Sequence, residues 1–301
     1  MITMKKILFA SICLLLFSDA FSQTLIFNPV ADNTIFSENT GNSNGAGANF
    51  FVGEVGGSGG FGKRRALIKF NVSAIPAGSV VTGVSLQVFC TNVPPGSAAN
   101  TVELHNCQAA WGEGTSSGLG SGAAATLNDA TWNCSFANGG GGCSSSWSIA
   151  GGTFDPAISS SVTVIASGNY TFPGSAKMIA DVQSWINAPA TNAGWLLKGN
   201  ETTPLTARGF YSREGNATAS VLTVTFNPSL CPGENVWTGA VDNAWENAAN
   251  WSCGSVPDLN TNVTINSGTV NLNSNRSCRS IHINPAVNFK VTAGFNLTVV
   301  N

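Results

Sequence analysis

The sequence predicts an all-β protein: a jelly-roll-like β-sandwich with one short amphipathic helix, then a small β-rich, solenoid-like C-terminal region. Three observations carry this expectation. Short alternating segments recur along most of the chain, separated by clusters of Gly, Pro, Asn and Ser. Only one stretch has helical periodicity. Late in the chain the alternating pieces shrink to about three residues and repeat at close spacing, as stacked coils do.

Taken in order, the chain opens with Lys5 and Lys6, an apolar run over 7–17, and small residues at Ala20 and Ser22. That is the plan of a secretory signal peptide, 1–22, cut after Ser22. The run is shorter than the ~18 apolar residues of a membrane span. Cys13 lies inside it behind bulky Ile12, so a lipid-modified cysteine is set aside.

A sandwich follows over 23–228. Its strands read "ALIKFNV", "VSLQVFC", "TVELH", "SVTVIA", "GWLLKG", "GFYSRE" and "VLTVTF". In the second, Val84, Leu86 and Val88 share one face, and Ser85 and Gln87 the other. "IPAGSVV" is a turn, with Pro76 fixing φ and Gly78 free to take a positive one. The helix is "GSAKMIADVQSWINAPA". Ile179, Val182, Trp185 and Ile186 share a face, Ser175 is the N-cap, and Pro189 ends the helix after Asn187.

The texture changes at "NPSLCPGE". Residues 229–301 hold a Trp-rich segment and then "VTI", "VNL", "IHI", "FKV" and "LTV", which resemble a β-solenoid. The last piece lacks a polar cap. The expectation is that the chain is a fragment, or that another segment or subunit covers this end.

Lys and Arg number 13 against 15 Asp and Glu, and only 9% of residues are charged. Global attraction to nucleic acid or anionic membrane is therefore weak, and neither partner is expected. Neutral polar residues replace the usual charges, as in many extracellular β proteins. The predicted localisation is secreted, extracellular or at the cell surface.

Seven cysteines follow the leader, and in an exported chain they default to disulfides. Cys134 and Cys143 would staple a glycine-rich loop, and Cys231 and Cys253 would bracket the Trp-rich segment. Cys90 and Cys107 end neighbouring strands, but their face parities conflict, so this pair needs a bulge. Cys278 is left over. No close Cys or His pair has zinc spacing.

Several segments together resemble the DNRLRE family, grouped with carbohydrate-binding modules of secreted polysaccharide-degrading systems. In order they are "ADNTIFSE", "GAGANFFVG", "RRALIKFNVSAIPAGSVVTGVSLQV", "WGEG", "DATWN", "IADVQSWINAPATNAGWLLKGNE" and "FYSREGNATASVLTVTF", covering about 28–226. The resemblance implies a jelly-roll-like sandwich that accompanies enzymes or adhesins and binds polysaccharide in some members. Where many members carry Arg-Pro before the final strand, this chain has Ala219 and Ser220. "NVWTGAVDNAWENAANWSCGSVP" looks like the start of a repetitive bacterial surface-protein region.

Catalytic patterns are weak. "GGSGG" around Ser58 and "GSGGFG" at 57–62 match a nucleophile elbow and a dinucleotide fingerprint in letters only, inside one low-complexity loop. His105 and His282 alternate with apolar neighbours and read as polar residues on exposed strand faces. Carboxylates are scattered, without a motif for the paired acids of a glycosidase. No enzyme activity and no cofactor are expected. Asp32, Asn33 and Glu38 offer calcium-type oxygens, without the dense spacing of a calcium loop.

Binding residues are easier to find. Acidic sugars call for Arg and Lys, and sugar C–H faces for aromatics. Arg65 and Lys69 share parity with Leu67, opposite Ala66, Ile68 and Phe70, which are the natural core face. Lys198 has the parity of Leu196, and Arg213 that of Tyr211. If these strands are neighbours, one face collects Arg65, Lys69, Lys198, Tyr211 and Arg213. Against this stands a plain reading as edge protection and surface ion pairs with Glu201 or Glu214. Trp111, Trp132 and Trp185 read as packed, and Trp147 as the exposed tryptophan. The expected function is a secreted, non-catalytic polysaccharide-binding or adhesion module, with acidic polysaccharides among the expected ligands. The alternative is a structural surface or filament-forming protein that associates with itself.

Overall fold

The computed structural model describes residues 22–227 and 234–300. The signal-peptide reading and Cys231 lie outside these residues.

The first half of the sandwich comprises β1 (Gln23–Phe27), β2 (Pro29–Phe36), β3 (Asn42–Ser43), β4 (Asn49–Glu54), β5 (Lys63–Phe70), β6 (Val80–Asn92) and β7 (Asn100–Cys107). A long excursion holds β8 (Ala123–Ala124), β9 (Cys134–Ala137) and β10 (Cys143–Ser146). Then follow β11 (Phe154–Val164), β12 (Gly168–Phe172), α1 (Ala176–Asn187), β13 (Trp195–Lys198), β14 (Arg208–Tyr211) and β15 (Val221–Asn227). The main sheet is antiparallel and curled, in the order β1-β15-β6-β14-β4-β5-β13-β7-β11, with β12 also on β6 and β2 also on β5. Every strand expected from alternation is present. The all-β, sandwich-like class is observed, with a single α-helix among the described residues.

Inside the curl, Phe50, Val52, Ala66, Ile68, Phe70, Leu86, Val88 and Phe210 form the main core. The helix closes one side of it. Ser175 caps the helix as expected, its Oγ accepting from Met178 N at 2.9 Å. Val182, Trp185 and Ile186 are buried, and Trp185 lies against Trp195 at 4.5 Å. Met178 and Asp181 are buried too. The 76–79 turn forms as expected, with Gly78 at φ 79° and Ser79 N donating to Pro76 O at 3.1 Å.

A second apolar cluster lies on the other face of β5 and β13. Leu67, Leu196, Ile35, Trp111, Ala130 and Trp147 are buried there, with Trp132 and Phe154 against them. The excursion over residues 107–154 supplies this cover. β5 is thus buried on both faces, which explains why its apolar residues run nearly unbroken.

This double burial corrects three expectations. Cys90 belongs to the inner core and Cys107 to the outer cluster, and both thiols are free. The parity conflict is real: the sheet itself separates them. Trp147 is only 6% exposed, and its Nε1 donates to Thr131 O at 2.8 Å. His105 is 3% exposed, bonded through Nδ1 to Asp155 O and stacked near Phe154. Its strand face is covered by the Phe154 ring at the start of the neighbouring β11, not solvated. His282 is exposed, as expected.

The Cys134–Cys143 disulfide is present and ties β9 to β10. Cys253 is also disulfide-bonded. Ser58 sits on a 3-10 turn, Gly57–Gly59, and not on a strand–helix crossing.

The C-terminal region is built from β16 (Glu234–Val236), β17 (Asn262–Ile265), β18 (Thr269–Leu272), β19 (Arg276–Cys278), β20 (Ser280–Ile283), β21 (Asn288–Val291) and β22 (Leu297–Val299). All pairings among them are parallel. Asn262 faces Ser280, Thr269 faces Asn288 and Arg276 faces Leu297. Each turn of this solenoid therefore takes 18 to 21 residues over three short faces. The Trp-rich segment forms the preceding turn: β16 lies on β17, and Ala244 bridges Asn271. Trp237, Trp245 and Trp251 fill its interior in edge-on contacts of 5.0 and 4.7 Å. Cys278 is a free thiol fully buried in the same core, so a disulfide between copies through it requires this core to open.

Candidate functional site

Strand order decides which of the predicted basic residues meet. β5 and β13 are neighbours, and Lys198 directly faces Arg65 in the ladder. β14 is separated from β5 by β4. Tyr211 therefore lies elsewhere, its ring 5.5 Å from that of Phe89. Arg213, just past β14, turns toward a different set of carboxylates. The five residues do not form one face.

Arg65 is held on every side. Its Nε and Nη2 donate to the two carboxylate oxygens of Glu201 at 2.6 and 2.9 Å, and Nη1 donates to Gly151 O at 2.7 Å. The guanidinium lies 4.8 Å from the Trp132 ring centroid and 5.5 Å from that of Phe154. Its side chain is 13% exposed. A polysaccharide would have to displace this pair to reach it. Arg64 is likewise bound, to Glu38, and lies over Phe36 and Phe51.

Lys69 differs. It makes no ion pair among the described residues, and it lies between two open clefts. One, of about 480 Å³, is lined by Val30, Asn71, Ser73, Trp185 and Asn192. The other, of about 530 Å³, is lined by Asn106, Gln108, Ser184, Thr191 and Asn192. Amides and hydroxyls, groups that match sugar hydroxyls, make up about half of the second lining; Cys107, Pro189 and alanines supply most of the rest. The helix end and the turn after it supply part of both walls.

A second cluster joins three distant segments. Asp32 on β2, Glu113 in the excursion and Glu214 after β14 each place a carboxylate oxygen within 4.8 Å of the others. Arg213 sits among them, donating to both Glu113 oxygens at 2.7 Å and reaching Glu214 at 2.8 Å. Those bonds hold its pKa above the usual arginine value despite partial burial. Its main-chain N–H donates to Asp32 Oδ2 at 2.8 Å. The other oxygen of Asp32 is buried without a hydrogen-bond partner among the described residues. Burial pushes the Asp32 carboxyl up to about 8; the Arg213 N–H opposes this, and Glu214 and Glu113 add to it.

The calcium-type oxygens suggested by sequence are regrouped by the fold. Asn33 Oδ1 already accepts from Thr34 N, Ser43 Oγ and Asn44 N at 2.6, 2.9 and 2.9 Å. Glu38 is engaged by Arg64. Only Asp32 of that trio belongs to the acidic cluster. Glu113 and Glu214 were missed as partners because they lie far from Asp32 in sequence and no motif links them.

A family model described as "Domain of unknown function (DUF8693)" matches residues 236–301, the solenoid portion. No curated protein matches the chain. Among the described residues no helix is long and apolar enough to cross a membrane.

Proposed function

We propose that this chain is a secreted, non-catalytic polysaccharide-binding or adhesion module of a bacterial surface protein. In this reading the sandwich, with its DNRLRE-like segments, binds the glycan and the solenoid begins a repetitive stalk. The observation that carries it is Lys69: a lysine without an ion pair among the described residues, between two clefts, one of which has amides and hydroxyls along about half of its wall. Such a site suits a polysaccharide bearing hydroxyls and scattered carboxylates. The leader-like N-terminus and the Cys134–Cys143 disulfide support export to an oxidising compartment.

The test is a glycan array or affinity gel with neutral and acidic polysaccharides. Binding that Lys69→Ala abolishes, with the melting curve unchanged, supports the reading. Absence of binding to every glycan overturns it.

The structural alternative draws on a different observation. Arg65 and Arg213 already satisfy their charges within the protein, and the outermost strands β20–β22 expose Ile283, Val291 and Val299. A surface or matrix protein that associates with itself would use such an edge. Concentration-dependent assembly by light scattering, without glycan binding, would favour it.

A further inference from the structure

We propose that Asp32, Glu113 and Glu214 form a binding site for a single divalent cation of the calcium type, held by oxygen atoms alone. The spacing is the first ground. Calcium holds its oxygens at about 2.3–2.6 Å, so two ligands of one ion lie at most about 5 Å apart. One oxygen from each of the three carboxylates meets this limit, all within 4.8 Å of one another.

The second ground is the state of Asp32. The residue is 1% exposed, and its Oδ1 is buried without a hydrogen-bond partner among the described residues. Ionising a buried carboxyl beside two further carboxylates is costly unless something positive reaches it. The Arg213 guanidinium is spent on Glu113 and Glu214; only its main-chain N–H reaches Asp32, at the other oxygen. Two of the three carboxylates thus take up the one guanidinium, and the third, Asp32, is the buried member of the cluster and carries the unpartnered atom.

The third ground is access and donor chemistry. The cluster grades from buried Asp32 through half-buried Glu113 to exposed Glu214. An ion can enter from the Glu214 side, and water can complete its shell. Oxygen-only donors select a hard cation, and ligands from three separate segments suit the irregular geometry calcium accepts better than the near-octahedral shell magnesium requires. Such an ion would tie β2, the excursion and the turn after β14 together. Arg213 is then the competing cation: it occupies both Glu113 oxygens, and its side chain is 38% exposed, so an entering ion would have to displace it toward solvent.

The experiment uses the full chain, stripped with chelator and titrated with calcium chloride by calorimetry, with melting curves in calcium and in EDTA. The expected result is one ion per chain, with a dissociation constant on the order of 10⁻⁴–10⁻³ M, as in extracellular modules, and a higher Tm in calcium. Asp32→Asn and Glu214→Gln should each weaken binding at least about tenfold, as loss of a charged ligand does. Arg213→Gln should tighten it by removing the competitor. No saturable binding up to about 10 mM calcium, well above that affinity range, overturns the proposal, as does binding indifferent to both carboxamide variants. A wild-type chain blind to calcium, with an Asp32→Asn chain that melts higher in EDTA, overturns it too and assigns a protonated Asp32 in its place.

Discussion

Arg65 and Glu201, 136 residues apart in the chain, form a two-pronged ion pair with bonds of 2.6 and 2.9 Å beneath the loop that carries Gly151. The pair is largely shielded, with side chains 13% and 8% exposed. Removing one partner of such a pair strands the other charge, at about 3–5 kcal/mol. Arg65→Ala should therefore lower stability by about 3 kcal/mol in urea unfolding, near the bottom of that range because some exposure remains. Arg65→Lys should recover only part of it, since lysine lacks the planar fork. Lys69→Ala should stay within about 0.5 kcal/mol of wild type, as a half-buried surface side chain without an ion pair among the described residues does.

Asp181 joins the helix to the sandwich core. Its carboxylate, 2% exposed, accepts from Ser159 Oγ, Trp195 Nε1 and Lys177 Nζ. Asp181→Ala leaves the buried Trp195 N–H and Ser159 hydroxyl without an acceptor, at about 1–3 kcal/mol each. The expected result is a destabilisation of about 3 kcal/mol with loss of near-ultraviolet signal from the Trp185–Trp195 pair. A change below about 1 kcal/mol would contradict this account of the network.

The Cys134–Cys143 bridge closes a short loop, with a sequence separation of 9. Chain-entropy reasoning puts its contribution at about 2–3 kcal/mol. Cys134→Ser/Cys143→Ser should lose about that much, with faster amide exchange confined to the β9–β10 hairpin and the neighbouring Trp147. Loss of protection in the inner core around Phe70 would show that the hairpin holds more than its own layer.

Asp242 gives the tryptophan turn an acid sensitivity. Hydrogen bonds from Asn247, Ala244 N and Asn250 hold its carboxyl below the usual aspartate value of 3.8. A depressed folded-state pKa means the stabilisation is present above the unfolded value and is lost as pH falls through the folded one. Trp245 and Trp251 emission should thus change as pH drops below about 4, the ordinary aspartate range. Asp242→Asn should flatten that step while leaving emission at pH 7 close to wild type.

Much of this architecture was legible in the residues. Alternation located the strands around Leu67, Leu86 and Val224. The 3-4 spacing of Val182, Trp185 and Ile186 located the helix face, and Ser175 its start. The three-residue repeats announced the stacked coils. Less legible were β2 and β4. In β2 the run Asp32–Asn33–Thr34 looks polar, yet all three residues are buried, because their side chains bond to neighbouring segments.

The amino-acid sequence by itself determined the local conformations: which residues are strand, which are helix, where glycine turns the chain, and that Cys134 and Cys143 are close. These depend on backbone sterics and short-range periodicity, which act within a few residues. Only the tertiary structure decided what covers each face. Parity places Arg65 opposite Ile68, but it does not say that residues 107–154 fold back over that side. That return buries Arg65, His105 and Trp147 and leaves Lys69 at the cleft. In the same way the meeting of Asp32, Glu113 and Glu214 depends on chain segments far apart in sequence. Period-two alternation fixes the side on which a residue lies; its solvent, charge partners and chemistry are set by whatever long-range packing brings to that side.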